Sequence, residues 1–221
     1  MPDQLTWDWG YCLEIAPELA RAAWISLQAA VLGMLLALAL GLAGELLRRT
    51  PGPLSWAARW VMEAVRTTPL LVQLFAWFYL LPSTGVQISA LTTGVVALGV
   101  HYAPFVAEVY RAGIEGVPES QWDAARALNF KPAQIWCHVV LPQALPPVIP
   151  ALGNYFIALF KETPLLAAIT VMELLQTAKI IGAESFRYLE PLTLVGAFFL
   201  LCSLAASRAV RCMEARLARP S

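Results

Sequence analysis

The sequence predicts an all-α integral membrane protein with about five transmembrane helices, the N-terminus outside and the C-terminus inside. Three observations carry this expectation. The 221-residue chain is 59% hydrophobic and only 14% charged, where soluble domains run near a quarter charged, and its mean hydropathy is +0.64. Five stretches approach the roughly 20 apolar residues that a bilayer crossing needs. Lysine and arginine gather in alternate connections between those stretches, as cytoplasmic loops require. A soluble helical bundle of this composition would have too little polar surface.

The balance of 15 basic against 15 acidic residues leaves no net charge to attract nucleic acid. Cys12, Cys137, Cys202 and Cys212 are scattered without a CxxC, so they read as packing residues rather than a disulfide frame or metal site. Asp3, Asp8, Glu14 and Glu18 precede the first apolar run. A cleavable signal peptide would have basic residues there, so none is expected.

The chain, 1–221, reads as a single transmembrane domain. Residues 22–47 give the first span and residues 56–81 the second. The second ends in LFAWFYLL, where Trp77, Phe78 and Tyr79 suit an interfacial aromatic belt. Residues 90–110, 143–160 and 188–206 give the remaining three. Residues 164–176 are apolar but short for a crossing, which fits a buried or re-entrant segment. Arg48, Arg49 and Arg59 lie at the connection of spans one and two. Arg111, Arg126 and Lys131 lie between three and four, and Arg208, Arg211, Arg216 and Arg219 follow span five. With five spans these regions share one side, which is therefore the cytoplasm.

The stretch PESQWDAARALNFKPAQIWCHVVLP, residues 118–142, is amphipathic where the rest is apolar. Pro118 suits a helix start, and Glu119 and Asp123 suit the positive end of the helix dipole. Trp122, Ala125 and Leu128 are spaced to share one face. Asn129 tolerates the left-handed conformation that ends helices, and Lys131-Pro132 then starts a second short helix. Ala124 and Ala125 allow close approach to a partner. An interfacial helix on lipid would carry mainly basic residues on its polar face, so the two early acids favour a protein partner.

These residues resemble the signature loop of permease subunits of bacterial ATP-binding cassette importers, whose pattern is EAA, three residues, G, nine residues, I, one residue, LP. Here Asp123-Ala124-Ala125, Asn129, Val139 and Leu141-Pro142 stand at that spacing, with Asp for Glu, Asn for Gly and Val for Ile. The resemblance implies that this loop is a coupling helix. Trp122, Asp123, Ala124, Ala125, Leu128, Asn129, Leu141 and Pro142 would then couple a cytoplasmic ATPase to the spans. It also implies a second permease, identical or homologous, two ATPase subunits and an extracytoplasmic solute-binding protein. ATP and magnesium would sit on the ATPase, with no cofactor and no catalysis in this chain.

Residues 67–75, TTPLLVQLF, and residues 107–121, AEVYRAGIEGVPESQ, are similar to the polar amino acid branch of these importers. FKETPLLAAITVMELL and AESFRYLEP, within 160–191, look most like permeases for ectoine and hydroxyectoine. That likeness implies an ectoine-type zwitterion as cargo, with polar amino acids as the alternative.

One pattern needs no family. Arg66-Thr67-Thr68-Pro69-Leu70-Leu71 recurs as Lys161-Glu162-Thr163-Pro164-Leu165-Leu166. Both stretches belong to spans expected to run outward. Each proline frees a backbone carbonyl, which in a membrane must find a partner or line a wet cavity. Burying a charge at this depth costs about 2.5–3.5 kcal/mol on insertion scales. Two readings follow. Arg66, Thr67, Thr68, Lys161, Glu162 and Thr163 line a substrate path, or Glu63 and Arg66 neutralise each other while Thr68 caps a kink. Glu108, Arg111 and Glu115 are spaced as a helix-end ion network. His101 reads as a packed polar residue or a proton relay.

The sequence disfavours two other classes. A membrane enzyme would show a cluster such as HExxH, and the chain has none; GxxxxGK[ST] is absent too. An ion-coupled secondary transporter would need a complete path in one chain, and would have no use for the 118–142 loop.

Overall fold

The computed structural model describes residues 6–217, so Asp3 and Arg219 fall outside the described residues. Among the described residues the chain forms nine α-helices with no strand. Trp9–Arg48, Ala90–Glu115, the run Pro132–Ile169 and Leu189–Leu217 are each long and apolar enough to cross a membrane, and one bent pair of helices adds a fifth.

Helix α1 (Trp9–Arg48) starts well before residue 22 because Asp8 caps it, its Oδ1 accepting the N–H of Gly10 at 2.8 Å and of Tyr11 at 3.2 Å. At about 1.5 Å per residue, its 40 residues far exceed a hydrocarbon core about 30 Å thick.

Span two, expected as one helix over 56–81, is broken. Helix α2 (Pro53–Thr67) and helix α3 (Leu70–Phe75) are separated at Thr68-Pro69. Helix α3 continues through a π turn, Ala76–Leu80, and a 3-10 turn, Leu81–Thr84. The two halves are bent by 105°. Thr68 is extended, with ψ 129°, because the following proline disfavours helical geometry there. The amide of Gln73 fills the break, donating to the carbonyls of Val65 at 2.8 Å and Thr68 at 3.0 Å.

Helix α4 (Ala90–Glu115) runs alongside α1 in the same direction, pairing Gly33 with Leu98 and Gly41 with Val106. A Cβ on Gly41 would lie 2.7 Å from Val106 Cγ1 and 2.9 Å from the Ala103 carbonyl, so a small residue sets this approach.

Helix α5 (Glu119–Ala127) follows a short turn. The next helix is not the short one expected. Helix α6 (Pro132–Ile135) passes through a π turn, Trp136–Val140, into helix α7 (Leu141–Glu162) and then the 3-10 segment Thr163–Ile169. Leu141 and Pro142 thus open a long helix instead of closing a loop. Pro142 has no N–H to give the helix, and the π turn Trp136–Val140 just before it lets the helix run on from α6 into α7.

Helices α8 (Leu174–Ser185) and α9 (Leu189–Leu217) complete the chain. The wholly buried Glu173 caps α8, accepting the N–H of Leu175 at 2.9 Å and of Gln176 at 2.7 Å. The main core joins Ala30 and Met34, Leu70 and Leu74, Leu98, Leu159, and Leu166 and Ile169. Residues around Leu166 are therefore packed inside the bundle. All four cysteines are free. The packing expectation suits the buried Cys12; Cys137 and Cys212 are exposed.

Candidate functional site

Pro118 stands just before α5, and Glu119 lies in its first turn. Ala125 is buried against Val117, Ile135, Val140 and Ala144, and Trp122 meets Trp136 edge to face at 5.4 Å. These contacts fix α5 to the start of the long α6–α7 helix. Ala124 and Asp123 face outward, Asp123 paired with Arg126 at 2.9 Å.

Leu128 does not share the inner face with Trp122 and Ala125. It is 70% exposed. The helix has stopped turning there: Leu128 is its C-cap, Asn129 is left-handed with φ 57°, and the N–H of Phe130 reaches back to the carbonyl of Ala125 at 3.1 Å. This is a Schellman ending, and it turns Leu128 and the partly exposed Phe130 outward as an apolar tip. Sequence spacing missed Phe130; the left-handed Asn129 before it was the available signal.

The second group of residues lies between the ends of the bundle. Tyr102 donates to Glu162 Oε2 at 2.8 Å. Around that bond the rings of Tyr102, Phe105 and Tyr155 lie 5.8 to 6.4 Å apart. His101 packs beside Tyr102 and Phe105, with its Nδ1 buried and unpartnered. Lys161 is exposed, whereas Thr163 is wholly buried with its hydroxyl on the carbonyl of Phe160 at 2.9 Å. Arg66 and Glu63 pair at 2.8 Å. Thr67 and Thr68 turn their hydroxyls back onto Glu63 and Ala64 at 2.8 and 2.7 Å. Arg66, Glu63, Arg59, Arg48 and Glu108 edge a cavity of about 300 Å³. The two Thr-Pro motifs meet through Leu70, Leu74 and Leu166 in the core, while their charged heads stay apart. Sequence reading missed Tyr102 as the partner of Glu162 and Tyr155 as the ring packed against Tyr102, because contacts between distant helices leave no periodic trace.

At the α5 end, Glu108 holds Arg48 at 2.6 Å and Arg111 at 2.7 Å, and Arg111 holds Glu115 at 2.6 Å. The expected ion network exists, and through Arg48 it also ties α1 to α4.

Residues 29–219 match the family of binding-protein-dependent transport system inner membrane components. The chain belongs to that family. It is the permease subunit of an ATP-binding cassette importer and a multi-pass protein of the bacterial inner membrane. The permease is 42% identical over 219 residues to a probable amino-acid ABC transporter permease of Sinorhizobium fredii, covering 96% of this chain and 94% of the relative. It is 33% identical over 193 residues to a probable glutamine ABC transporter permease of Bacillus subtilis, covering 87% and 89%. Its fold matches a chain from the crystal structure of an amino acid ABC transporter with histidines, at TM-score 0.89 and 32% identity, covering 96% of this permease and all of that chain.

Proposed function

We propose that this permease imports a small polar amino acid and is driven by a separate ATPase that docks on α5. The observation that carries the cargo class is the 42% identity to an amino-acid permease over nearly the whole of both chains. It supports amino acids over the ectoine or hydroxyectoine suggested by residues 160–191. The polar groups suit a zwitterion. Glu162, oriented by Tyr102, offers a carboxylate to an ammonium group, and the neighbouring rings add cation–π attraction. Lys161 and Arg66 offer cations to a carboxylate, with Thr67 and Thr68 beside Arg66 and Thr163 bracing the helix end from behind.

Lys161, Arg66 and Thr67 are open on this subunit's surface. Charges at membrane depth face protein or water, which supports a path closed by a second permease, identical or homologous. Two ATPase subunits, carrying ATP and magnesium, and an extracytoplasmic binding protein complete the assembly, and this chain has no catalytic role of its own. The α5 end then faces the cytoplasm. Trp122, Asp123, Ala124, Ala125, Leu128, Asn129, Leu141 and Pro142 couple the ATPase to the helices. Exposed Asp123, Ala124 and Leu128 touch it, and buried Ala125 and partly buried Trp122 pass the movement to α7.

The test is gentle purification of the tagged permease from native membranes, followed by titration of the copurified binding protein with glutamine, arginine, ectoine and hydroxyectoine. An ATPase, a second permease and tight amino-acid binding are expected. Preference for ectoine would overturn the cargo, and a permease with no ATPase even under crosslinking would overturn the coupling.

A further inference from the structure

The corner between α8 and α9 lies at the opposite end of the bundle from α5. The start of α1 meets this corner, α4 runs parallel to α1, and the end of α4 leads into α5. Several polar groups of the corner are pinned to α1 and to each other. Tyr11 bonds Ser185 Oγ at 2.7 Å, and Ser185 bonds the carbonyl of Ile181 at 2.7 Å. The guanidinium of Arg187 lies 5.1 Å from the centre of the Tyr11 ring, and it pairs with Glu190. That carboxylate is wholly buried and accepts the N–H of Asp8 at 3.2 Å. The ring of Tyr188 sits on Gly182, where an added Cβ would come within 2.5 Å.

Phe186 is exposed on a strained backbone, beside the exposed Tyr188 and Leu189. Its side chain is 73% exposed and its φ is 57°. A left-handed residue with a Cβ costs about 1–2 kcal/mol, which is why glycine or asparagine usually closes a helix. Burial within this subunit does not offset that cost. The bonded neighbours fix the backbone from which the ring projects, and a large exposed aromatic on a fixed backbone is suited to anchor an interface. Glu184 beside it and Glu14, one turn along α1 from Tyr11, are exposed acids. An anionic bilayer surface repels such a rim, while a protein with a basic rim complements it.

We propose that Phe186 is a docking anchor for the extracytoplasmic binding protein, its ring entering an apolar pocket bordered by basic groups on that protein. The proposal rests on the importer reading above. It goes beyond that reading in assigning the contact to a single strained residue.

The test uses the purified complex in liposomes, titrated with the solute-loaded binding protein identified by its stimulation of wild-type ATP hydrolysis. Phe186→Ala removes the ring, and Phe186→Gly removes it while freeing the backbone. Both are expected to raise the half-saturating concentration by about tenfold or more, with basal and maximal hydrolysis unchanged. Unchanged half-saturation in both variants overturns the anchor. So does a maximal rate lost in Phe186→Ala and restored in Phe186→Gly, which would mark a backbone role. A photoreactive phenylalanine at 186 that links to lipid or to the second permease also overturns it. Wild-type hydrolysis indifferent to every loaded binding protein would instead sink the importer reading.

Discussion

Tyr102 donates its phenolic proton to Glu162 at 2.8 Å, joining α4 to the last turn of α7. Both residues lie at depths where an unpaired carboxylate is costly. A hydrogen bond to a charged group contributes about 1.5–3 kcal/mol. Tyr102→Phe keeps the ring cluster and removes only that bond. Uptake at low solute concentration is expected to fall roughly tenfold or more, with the complex still assembled. Glu162→Gln should lower uptake further, because it removes the charge proposed to meet the ammonium group. Radiolabelled amino-acid uptake in liposomes measures both.

Gln73 supports the break in span two. Gln73→Leu keeps the bulk and leaves the carbonyls of Val65 and Thr68 without their donor. An unsatisfied buried group costs about 1–3 kcal/mol, so thermal unfolding of the detergent-solubilised complex should shift to lower temperature. Gln73→Glu, whose ionised carboxylate can only accept hydrogen bonds, should not restore it.

Gly41 sets the spacing of α1 and α4. Gly41→Ala forces a Cβ against Val106 and the carbonyl of Ala103. Overpacking of this kind costs about 1–3 kcal/mol. Reduced yield and lower thermal stability are expected, and adding Val106→Ala should not restore them, because the Cβ of residue 106 and the Ala103 carbonyl both remain 2.9 Å from the added carbon.

Neighbouring alanines of α5 should behave differently. Ala124 is exposed and Ala125 is buried. Ala124→Trp is expected to block ATPase docking while α5 stays packed. Ala125→Trp should displace α5 from Ile135 and Val140, and so lower stability as well. Copurification of the ATPase, read beside the melting temperature of each variant, separates the two effects.

Composition and apolar runs were enough to read an all-α membrane protein, because a bilayer crossing demands length and hydropathy that few soluble segments have. Local signals were also legible: Asn129 ends α5, and Glu63 pairs with Arg66. Features set by contacts between helices were not. Nothing in residues 56–81 announces that Gln73 will turn back to fill the gap left by Pro69 and allow a bend of 105°. Leu128 sits at the right spacing to share a face with Ala125, but the Schellman ending overrides the period one residue too early. Tyr155 was overlooked because its role depends on α4 and α7 lying side by side. Phe186 is hydrophobic in an apolar chain, and only its backbone angle and exposure distinguish it.

The most direct test of the central claim is ATP-driven uptake by the reconstituted complex carrying Leu128→Glu. This places a charge at the apolar tip of α5 without touching the core. The permease is expected still to insert and to assemble with the proposed second permease, uptake to fall to background, and remaining ATP hydrolysis no longer to respond to the loaded binding protein. Uptake equal to wild type would show that the tip of α5 does not receive the ATPase, and the coupling role assigned to this loop would be wrong.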